Sequence, residues 1–204
     1  MTTKFYYTPG ACSLSPHIAL READLPFELV QVDLGEKKLK NGDSFWSVNP
    51  KGYVPALVLD SGQLLTEGAI IVQWIADQKP ERKLAPKQGS AERLKLQEWL
   101  HFIATELHKG FGPVNNPKIN DEAKQFFKNR LLSRFEFLAR SLEGRKYLVG
   151  DDFTVADGYA YYTLRNLRKL DASLLEKWSD LKGYFERIAE RPAVRAALSA
   201  EGIS

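Results

Sequence analysis

The sequence predicts an α+β protein in two parts: a small mixed sheet covered by helices, followed by a region that is helical throughout. Strand-like and helix-like segments alternate up to about residue 80, and no strand pattern continues beyond residue 90. A charged stretch with two prolines, residues 79–89, separates the two patterns. We therefore expect one domain at residues 1–80 and a second, all-helical domain at residues 87–204.

In the first part, short apolar or aromatic segments bounded by turn residues indicate strands. Ser61-Gly62 is the expected turn of a hairpin, and Pro16 falls in the first turn of a helix, where proline is tolerated. The predicted order is β-α-β, a loop at residues 41–48 that is irregular or forms a short helix, then β-β-α. Strands are expected at residues 4–7, 27–34, 56–60 and 63–66, and helices at residues 14–23 and 68–77.

Helical periodicity dominates the second part. In the first predicted helix of this part, His101, Thr105 and His108 fall on one polar face. Two turns, about 10.5 Å of rise, separate the histidines, so they cannot share one metal ion but can line one wall of a cleft. Exposed helical histidines are the alternative interpretation. The helices are expected at residues 91–111, 121–142, 155–170 and 179–191.

Composition excludes several classes of function. With 29 basic and 26 acidic residues, the chain lacks the basic excess typical of nucleic-acid binding. No apolar run approaches the roughly 18 residues of a membrane span, and the first residues do not form a signal peptide. A single cysteine and three histidines exclude a disulfide framework and a thiolate-rich zinc site. We expect a cytoplasmic protein with no metal and with no nucleic-acid or membrane partner.

Cys12 is the first candidate catalytic residue. It follows the first predicted strand and precedes a helix for which Ser13 and Ser15 are N-cap candidates. The unpaired N–H groups and the dipole at a helix N-terminus favour an anion, and this setting lowers the pKa of a cysteine. A lone thiol can form a mixed disulfide with a small thiol but cannot resolve it internally. The alternative, a small buried hydrophobe, is less favoured at this position.

Three further motifs have both a functional and a structural interpretation. A cis bond at Val54-Pro55 would leave the backbone of Val54 available to a peptide-like ligand, whereas a trans bond would make an ordinary strand start. Glu67, at the start of a helix, could hold an ammonium group, or Thr66 could simply cap that helix. The segment from Thr154 to Asp157 has the form of a capping box, which we interpret as structural.

Together these segments resemble the glutathione S-transferases, and specifically their bacterial beta class, over nearly the whole chain. The Val-Pro and Glu-Gly segments are general to that superfamily, whereas the segments around the cysteine and around His108 are more specific to the class. The carriers of the resemblance are Phe5-Tyr6-Tyr7-Thr8-Pro9-Gly10-Ala11-Cys12-Ser13-Leu14, Asn49-Pro50-Lys51-Gly52-Tyr53-Val54-Pro55-Ala56-Leu57, Leu65-Thr66-Glu67-Gly68, Glu98-Trp99-Leu100, Ala104-Thr105-Glu106-Leu107-His108-Lys109 and Phe153-Thr154-Val155-Ala156-Asp157.

The resemblance implies a thioredoxin-like N-terminal domain, an all-helical C-terminal domain and a homodimer. It also implies that glutathione is a co-substrate and that neither a metal nor a redox cofactor is needed. The implied catalytic residues are Cys12 and His108, with Tyr7 secondary and Ser13 a hydrogen-bond partner of the thiolate. The implied glutathione-binding residues are Cys12, Lys37, Val54, cis-Pro55, Glu67, Gly68, His101, Thr105, Glu106, Leu107, His108 and Lys109.

One departure from the class lies at His101, where beta-class proteins often carry asparagine, and it leaves the details of the sulfur site open. The expected activity is conjugation of the glutathione thiolate to hydrophobic electrophiles, with peroxidase or thiol–disulfide exchange through Cys12 as further possibilities. The electrophile pocket is expected to involve Phe111, Tyr162 and Arg165. A glutaredoxin-like exchanger and a non-catalytic binding protein of the same fold are the rival hypotheses.

Overall fold

A computed structural model of the chain describes residues 2–203. It divides into two compact units, of which one contains residues 2–84 together with residues 190–203. The other contains residues 85–189. This division differs from the expected domains at the C-terminus, where residues 190–203 pack with the first unit rather than with the helices that precede them.

The first unit contains a mixed sheet with the strand order β3-β2-β1-β4-β5. The central strand β1 pairs parallel to β2 and antiparallel to β4, so its Phe5 side chain is fully buried. The four predicted strands are confirmed, and a fifth, of two residues, was missed because it is too short to show a pattern. The strands are β1 (Lys4–Tyr7), β2 (Glu28–Asp33), β3 (Lys38–Leu39), β4 (Ala56–Val58) and β5 (Leu64–Thr66).

Three helices complete the first unit. Both predicted helices are present, as α1 (Leu14–Glu22) and α2 (Gly68–Gln78). The loop expected to be irregular or to form a short helix contains a 3-10 turn at Phe45–Ser47. A helix at the C-terminus, Pro192–Glu201, packs against α1 and is called α8 below. This helix was not among those expected from the sequence.

The second unit is helical throughout, as predicted. The expected helix at residues 91–111 is wrong in one respect, because the α-helix ends at Phe102 and continues as a π-helix at Ile103–His108. The Thr105 hydroxyl donates to the carbonyl of His101 at 2.9 Å, and such back-bonding competes with a regular backbone ladder. The helices are α3 (Ala91–Phe102), α4 (Phe111–Asn115), α5 (Asp121–Ser141), α6 (Val155–Leu170) and α7 (Ser179–Ala189), with a 3-10 turn at Ala172–Lys177.

The predicted capping box at the start of α6 is present. The Asp157 carboxylate accepts the Thr154 N–H at 2.7 Å, and it also accepts the Thr154 hydroxyl, the Leu148 N–H and the Tyr184 hydroxyl. Burial raises the pKa of Asp157, while these four donors oppose that shift. The box is therefore a buried anchor of the helical unit, as its structural interpretation requires.

Within residues 2–203, none of the helices is long and apolar enough to span a bilayer.

Candidate functional site

Cys12 lies on the loop between β1 and α1, and its side chain is partly exposed. The loop turns sharply at Gly10, where φ is 70°, a value that glycine adopts without strain. The Cys12 thiol donates to the carbonyl oxygen of Val54 at 3.2 Å. The thiol is thus fixed two residues before the start of α1, next to the Val54-Pro55 segment.

The expectation that Ser13 and Ser15 cap α1 is wrong. Ser13 occupies the N-cap position, but its buried hydroxyl accepts from the N–H of Thr8 and donates to the carbonyl of Thr8, each at 3.2 Å. Ser15 lies inside the helix, and its buried hydroxyl has no hydrogen-bond partner. Ser13 therefore closes the loop that carries Cys12, with its hydroxyl already committed to the backbone.

The Val54-Pro55 peptide bond is cis, as the resemblance implies. Val54 is buried, and its carbonyl is not free, because it accepts the Cys12 thiol. A thiol is a weak donor, so a stronger donor can replace it on this oxygen. Asn49, which is buried, donates from its side-chain amide to the carbonyl of Tyr53 at 2.7 Å. This hydrogen bond fixes the backbone immediately before the Val54-Pro55 bond.

Glu67 stands at the N-cap position of α2 with φ at 66°. Its carboxylate makes no capping bond and instead lies 2.8 Å from the ammonium of Lys51. The Thr66 hydroxyl also accepts from Lys51, at 2.9 Å, so simple capping of α2 by Thr66 is not what the structure shows. Lys51 was not among the expected site residues, although it stands inside the Asn-Pro-Lys-Gly segment and bonds to both Thr66 and Glu67.

Lys37 is a third charged side chain, and it contacts the chain next to Lys51. Its ammonium donates to the carbonyl of Gly52 at 2.9 Å and lies 5.5 Å from the centroid of the Tyr53 ring. Its φ of 55° is uncommon for a residue with a side chain. Glu67 has a positive φ as well. Two of the residues expected to bind the ligand therefore have unusual backbone conformations, and such conformations are enriched at functional sites.

Tyr7 is buried at the end of β1, and its ring centroid lies 6.1 Å from that of His17. Burial, and to a smaller extent the Glu201 carboxylate, raises the pKa of the Tyr7 phenol above its ordinary value. The phenol therefore stays protonated at neutral pH and can only act as a neutral hydrogen-bonding group.

A buried polar network joins α8 to the Cys12 loop. Glu201 accepts the Gly10 N–H with Oε2 at 2.8 Å, and its Oε1 lies 2.8 Å from Nδ1 of His17. Arg21 donates from Nε to Nε2 of His17 at 2.9 Å. Because Nε2 is the acceptor, Nδ1 carries the ring proton and donates to Glu201. These residues were not expected at the site, because the sequence pattern does not reveal that α8 is part of the first unit.

In the helical unit, His108 and Lys109 line a cavity of about 590 Å³. Nδ1 of His108 lies 2.8 Å from the Tyr159 hydroxyl, and the His108 ring meets that of Tyr162 edge-on. Burial, assisted by the Lys109 charge, lowers the pKa of His108 to about 4. His108 is therefore a neutral hydrogen-bonding group at physiological pH, and Lys109 supplies the positive charge.

The other residues expected to bind glutathione from this part of the chain have other contacts. Leu107 is fully buried in the helical unit, and the Glu106 carboxylate accepts from Nε of Arg134 at 2.8 Å. This hydrogen bond lowers the pKa of Glu106. His101 and Thr105 are exposed and bond to backbone carbonyls four residues earlier. The segment brings only His108 and Lys109 to the same cavity.

Two of the three residues expected at an electrophile pocket line this cavity. Phe111 and Tyr162 line the cavity with His108, whereas the guanidinium of Arg165 lies 5.9 Å from the centroid of the Tyr161 ring and does not line it. Among the described residues, no group of three or more histidine, cysteine or acidic side chains could hold a metal ion.

Both units of the chain resemble known glutathione S-transferases. The family model for the glutathione S-transferase N-terminal domain matches residues 10–78, and that for the C-terminal domain matches residues 102–192. Glutathione S-transferase GstA of Escherichia coli O157:H7 is 46% identical over 200 residues, which cover 98% of this chain and 99% of that protein.

Solved structures show the same similarity. The ternary complex of BphK, a bacterial glutathione S-transferase, superposes with a TM-score of 0.92 at 51% identity, over 98% of this chain and 100% of that one. The beta-class enzyme of Sphingomonas chungbukensis gives 0.91 at 43% identity, with the same coverage. A sphingomonad enzyme complexed with glutathione gives 0.91 at 44% identity, again with the same coverage. On this sequence identity and common fold, the chain belongs to the glutathione S-transferase family, in its bacterial beta class, and is a glutathione transferase.

Proposed function

We propose that glutathione lies along the first unit with its sulfur beside Cys12. The observation that carries this proposal is the hydrogen bond from the Cys12 thiol to the Val54 carbonyl, because it brings a sulfur atom to a backbone group next to the cis-Pro55 bond. The backbone of the glutathione cysteinyl residue would pair with Val54 and so displace this weak donor. A relative of similar fold and 44% identity was solved in complex with glutathione.

Charged groups next to the two edge strands, β5 and β3, would hold the two ends of the tripeptide. The Glu67 carboxylate and the first N–H groups of α2, at Gly68, would receive the γ-glutamyl ammonium and carboxylate. Lys37 would approach the glycyl carboxylate. Lys51, which neutralises Glu67 at 2.8 Å, would share in binding the γ-glutamyl carboxylate.

In conjugation, the thiol of glutathione loses its proton to solvent and the resulting thiolate attacks an electrophilic carbon, whose leaving group departs with the bonding electron pair. His108 as a neutral hydrogen-bonding group and Lys109 as a cation would stabilise the thiolate relative to the thiol. Ser13 and Tyr7 would act less directly, since Ser13 fixes the loop and Tyr7 remains a protonated phenol. Hydrophobic electrophiles would occupy the cavity beside Phe111 and Tyr162.

Thiol–disulfide exchange through Cys12 is a second proposed activity, favoured by the partial exposure of Cys12 at the start of α1. The Cys12 thiolate would attack the glutathione sulfur of a mixed disulfide between glutathione and another thiol, form a Cys12–glutathione disulfide and release the other thiol as its thiolate. Attack by a second glutathione on this adduct returns the Cys12 thiolate and leaves oxidised glutathione. A peroxide would be reduced to an alcohol and water, with two glutathione molecules oxidised to the disulfide.

We further propose a cytoplasmic homodimer in which residues 1–80 bind glutathione and residues 87–204 form the electrophile site. The single cysteine suits a reducing compartment. A cavity of about 750 Å³ in the helical unit is lined by Trp99, Phe102 and Phe137, whose rings form one aromatic cluster. Phe137 is exposed, and Trp99 and Phe102 are partly buried. Such a cluster on a surface indicates an interaction site, and a second copy of the chain is the proposed occupant.

The decisive experiment is a panel of aryl halides, peroxides and mixed disulfides assayed with glutathione, for the wild type and for Cys12→Ala. We expect Cys12→Ala to lose thiol–disulfide exchange and to keep measurable conjugation, because glutathione itself is the attacking thiolate in conjugation. Equal and total loss of both activities in a folded variant would contradict this division of roles. Glutathione binding without turnover of any compound would support the non-catalytic alternative.

A further inference from the structure

The cavity that contains His108 has an uneven charge distribution. Its lining is partly aromatic, with two amides and two lysines, and none of its described residues is acidic. Since the pKa of His108 is about 4, the ring adds no charge at neutral pH. Lys109 and Lys169 are therefore the charged groups of this lining. The lining residues are His108, Lys109, Phe111, Gly112, Asn115, Tyr162, Asn166, Lys169 and Leu170.

The carboxylates that stand nearest to these lysines in the sequence are bound elsewhere. Glu106 accepts from Arg134 at 2.8 Å, and Arg130 lies 3.6 Å away. Asp171 accepts from the N–H and the hydroxyl of Ser173 at 2.9 and 2.7 Å. Within residues 2–203, neither lysine of the cavity has an ion pair. Their charges are not neutralised by the helical unit.

Two positive charges beside apolar rings suit a particular kind of molecule. Phe111 and Tyr162 offer aromatic surface to a flat ring, while an ammonium attracts a carboxylate at the edge of that ring. The amides of Asn115 and Asn166 can donate further hydrogen bonds to carboxylate oxygens. A cationic ligand would find no acidic side chain in this lining to pair with.

We propose that the cavity selects aromatic electrophiles that carry a carboxylate, and that Lys169 is a specificity-determining residue. This inference rests on the proposed function, in which hydrophobic electrophiles occupy this cavity and react with glutathione. Lys169 also lies in the last turn of α6, where a positive charge interacts favourably with the helix dipole and stabilises the helix. The test must therefore use a quantity that a merely stabilising charge does not change.

The probes are 4-chloro-3-nitrobenzoate and its neutral isostere 4-chloro-3-nitrobenzamide. In both reactions the glutathione thiolate attacks the ring carbon that carries chlorine, a C–S bond forms, and chloride leaves with its electron pair. The measured quantity is the ratio of kcat/KM for the benzoate to that for the benzamide. Differences in intrinsic reactivity between the probes cancel when this ratio is compared between variant and wild type.

Lys169→Met should lower this ratio about two- to fivefold, the size expected for one exposed charge pair, and Lys169→Glu should lower it further. The wild-type ratio should fall as salt is added, because exposed charges are screened. The KM for glutathione should not change. Lys87→Met, which removes an exposed lysine of the same unit outside the cavity, is the matched control and should leave the ratio unchanged.

An unchanged ratio in folded Lys169→Glu, with both probes still conjugated, would overturn this inference and leave the proposed function intact. A Lys87→Met effect equal to that of Lys169→Met would also overturn it, by showing a general charge effect. A wild-type enzyme that conjugates neither probe with glutathione would overturn the proposed electrophile site and this inference together.

Discussion

The Glu201 carboxylate and the His17 imidazole form a hydrogen bond of 2.8 Å, and both side chains are completely buried. The same carboxylate accepts the Gly10 N–H, two residues before Cys12. The C-terminal helix is therefore an internal part of the first unit, and one of its side chains holds the backbone of the loop that carries the thiol. Arg191, bonded to Glu22 through two nitrogens, fixes the other end of that helix.

Replacing Glu201 by leucine should lower the free energy of unfolding by about 2–5 kcal/mol, because the partly buried Gly10 N–H and the buried His17 Nδ1–H lose their acceptor. Urea denaturation of the purified variant measures this. Glu28→Gln is the control, since Glu28 and Lys4 form an exposed pair at 3.7 Å whose loss should cost at most about 1 kcal/mol. Equal effects of the two substitutions would contradict the structural role of Glu201.

His108 should make the protein less stable as the pH falls. Its pKa is about 4 in the folded chain and near 6.5 when unfolded, so the unfolded state binds more protons between these values. Stability from this residue is present above pH 6.5 and is lost as the pH falls towards 4. Between pH 7 and pH 5 the loss should be about 2 kcal/mol.

The measurement is urea denaturation at both pH values for the wild type and for His108→Gln, whose pH dependence should be weaker by that amount. His101→Gln is the matched control, because His101 is an exposed histidine about two helical turns before His108. A variant at His108 with the wild-type pH dependence would show that the imidazole is not buried as a neutral group.

Glu67→Gln should weaken glutathione binding roughly ten- to a hundredfold if the carboxylate holds the γ-glutamyl ammonium. The effect should be smaller for cysteinylglycine, which lacks the γ-glutamyl group. Calorimetric titration with both thiols gives the ratio of affinities, and Lys51→Met separates loss of the Lys51 contact from loss of the carboxylate. An unchanged ratio in a variant of normal thermal stability would assign Glu67 a purely structural role.

Phe137→Glu should convert a dimer to a monomer in sedimentation experiments, since it places a charge in the aromatic cluster of Trp99, Phe102 and Phe137. Phe137 is 47% exposed, which leaves room for a second copy of the chain. Phe126→Glu is the control on the same helix, because Phe126 is 64% exposed and packs on Phe127 instead. A wild-type monomer at all concentrations would contradict the proposed assembly.

The local elements of this fold were predictable from sequence because each is set by neighbouring residues. The hairpin at Ser61-Gly62, the first-turn Pro16 and the capping box at Asp157 all depend on contacts within a few positions. The two-residue strand β3 was not predictable, because it is too short for a pattern. The π-helix at Ile103–His108 was not predictable either, because the sequence there continues a helical pattern and only the backbone differs from an α-helix.

The candidate site residues that lie in family motifs were predictable from the sequence. Contacts between residues far apart in the sequence were not. Cys12 and the Val54-Pro55 bond follow from motifs, and the structure places the Cys12 thiol on Val54. Glu201 stands 191 residues from Gly10, and no local pattern relates them. The neutral state of His108 likewise arises from burial by other helices, which spacing along its own helix does not reveal.

The most direct test of the central claim is the ionisation of the thiol of bound glutathione, followed by the ultraviolet absorbance of its thiolate. The Cys12→Ala variant is used so that only the ligand contributes a thiolate. We predict that the bound thiol ionises at a lower pH than free glutathione, and that His108→Gln together with Lys109→Met on the same background returns it towards the free value. A bound thiol that ionises at the same pH as free glutathione would contradict the account.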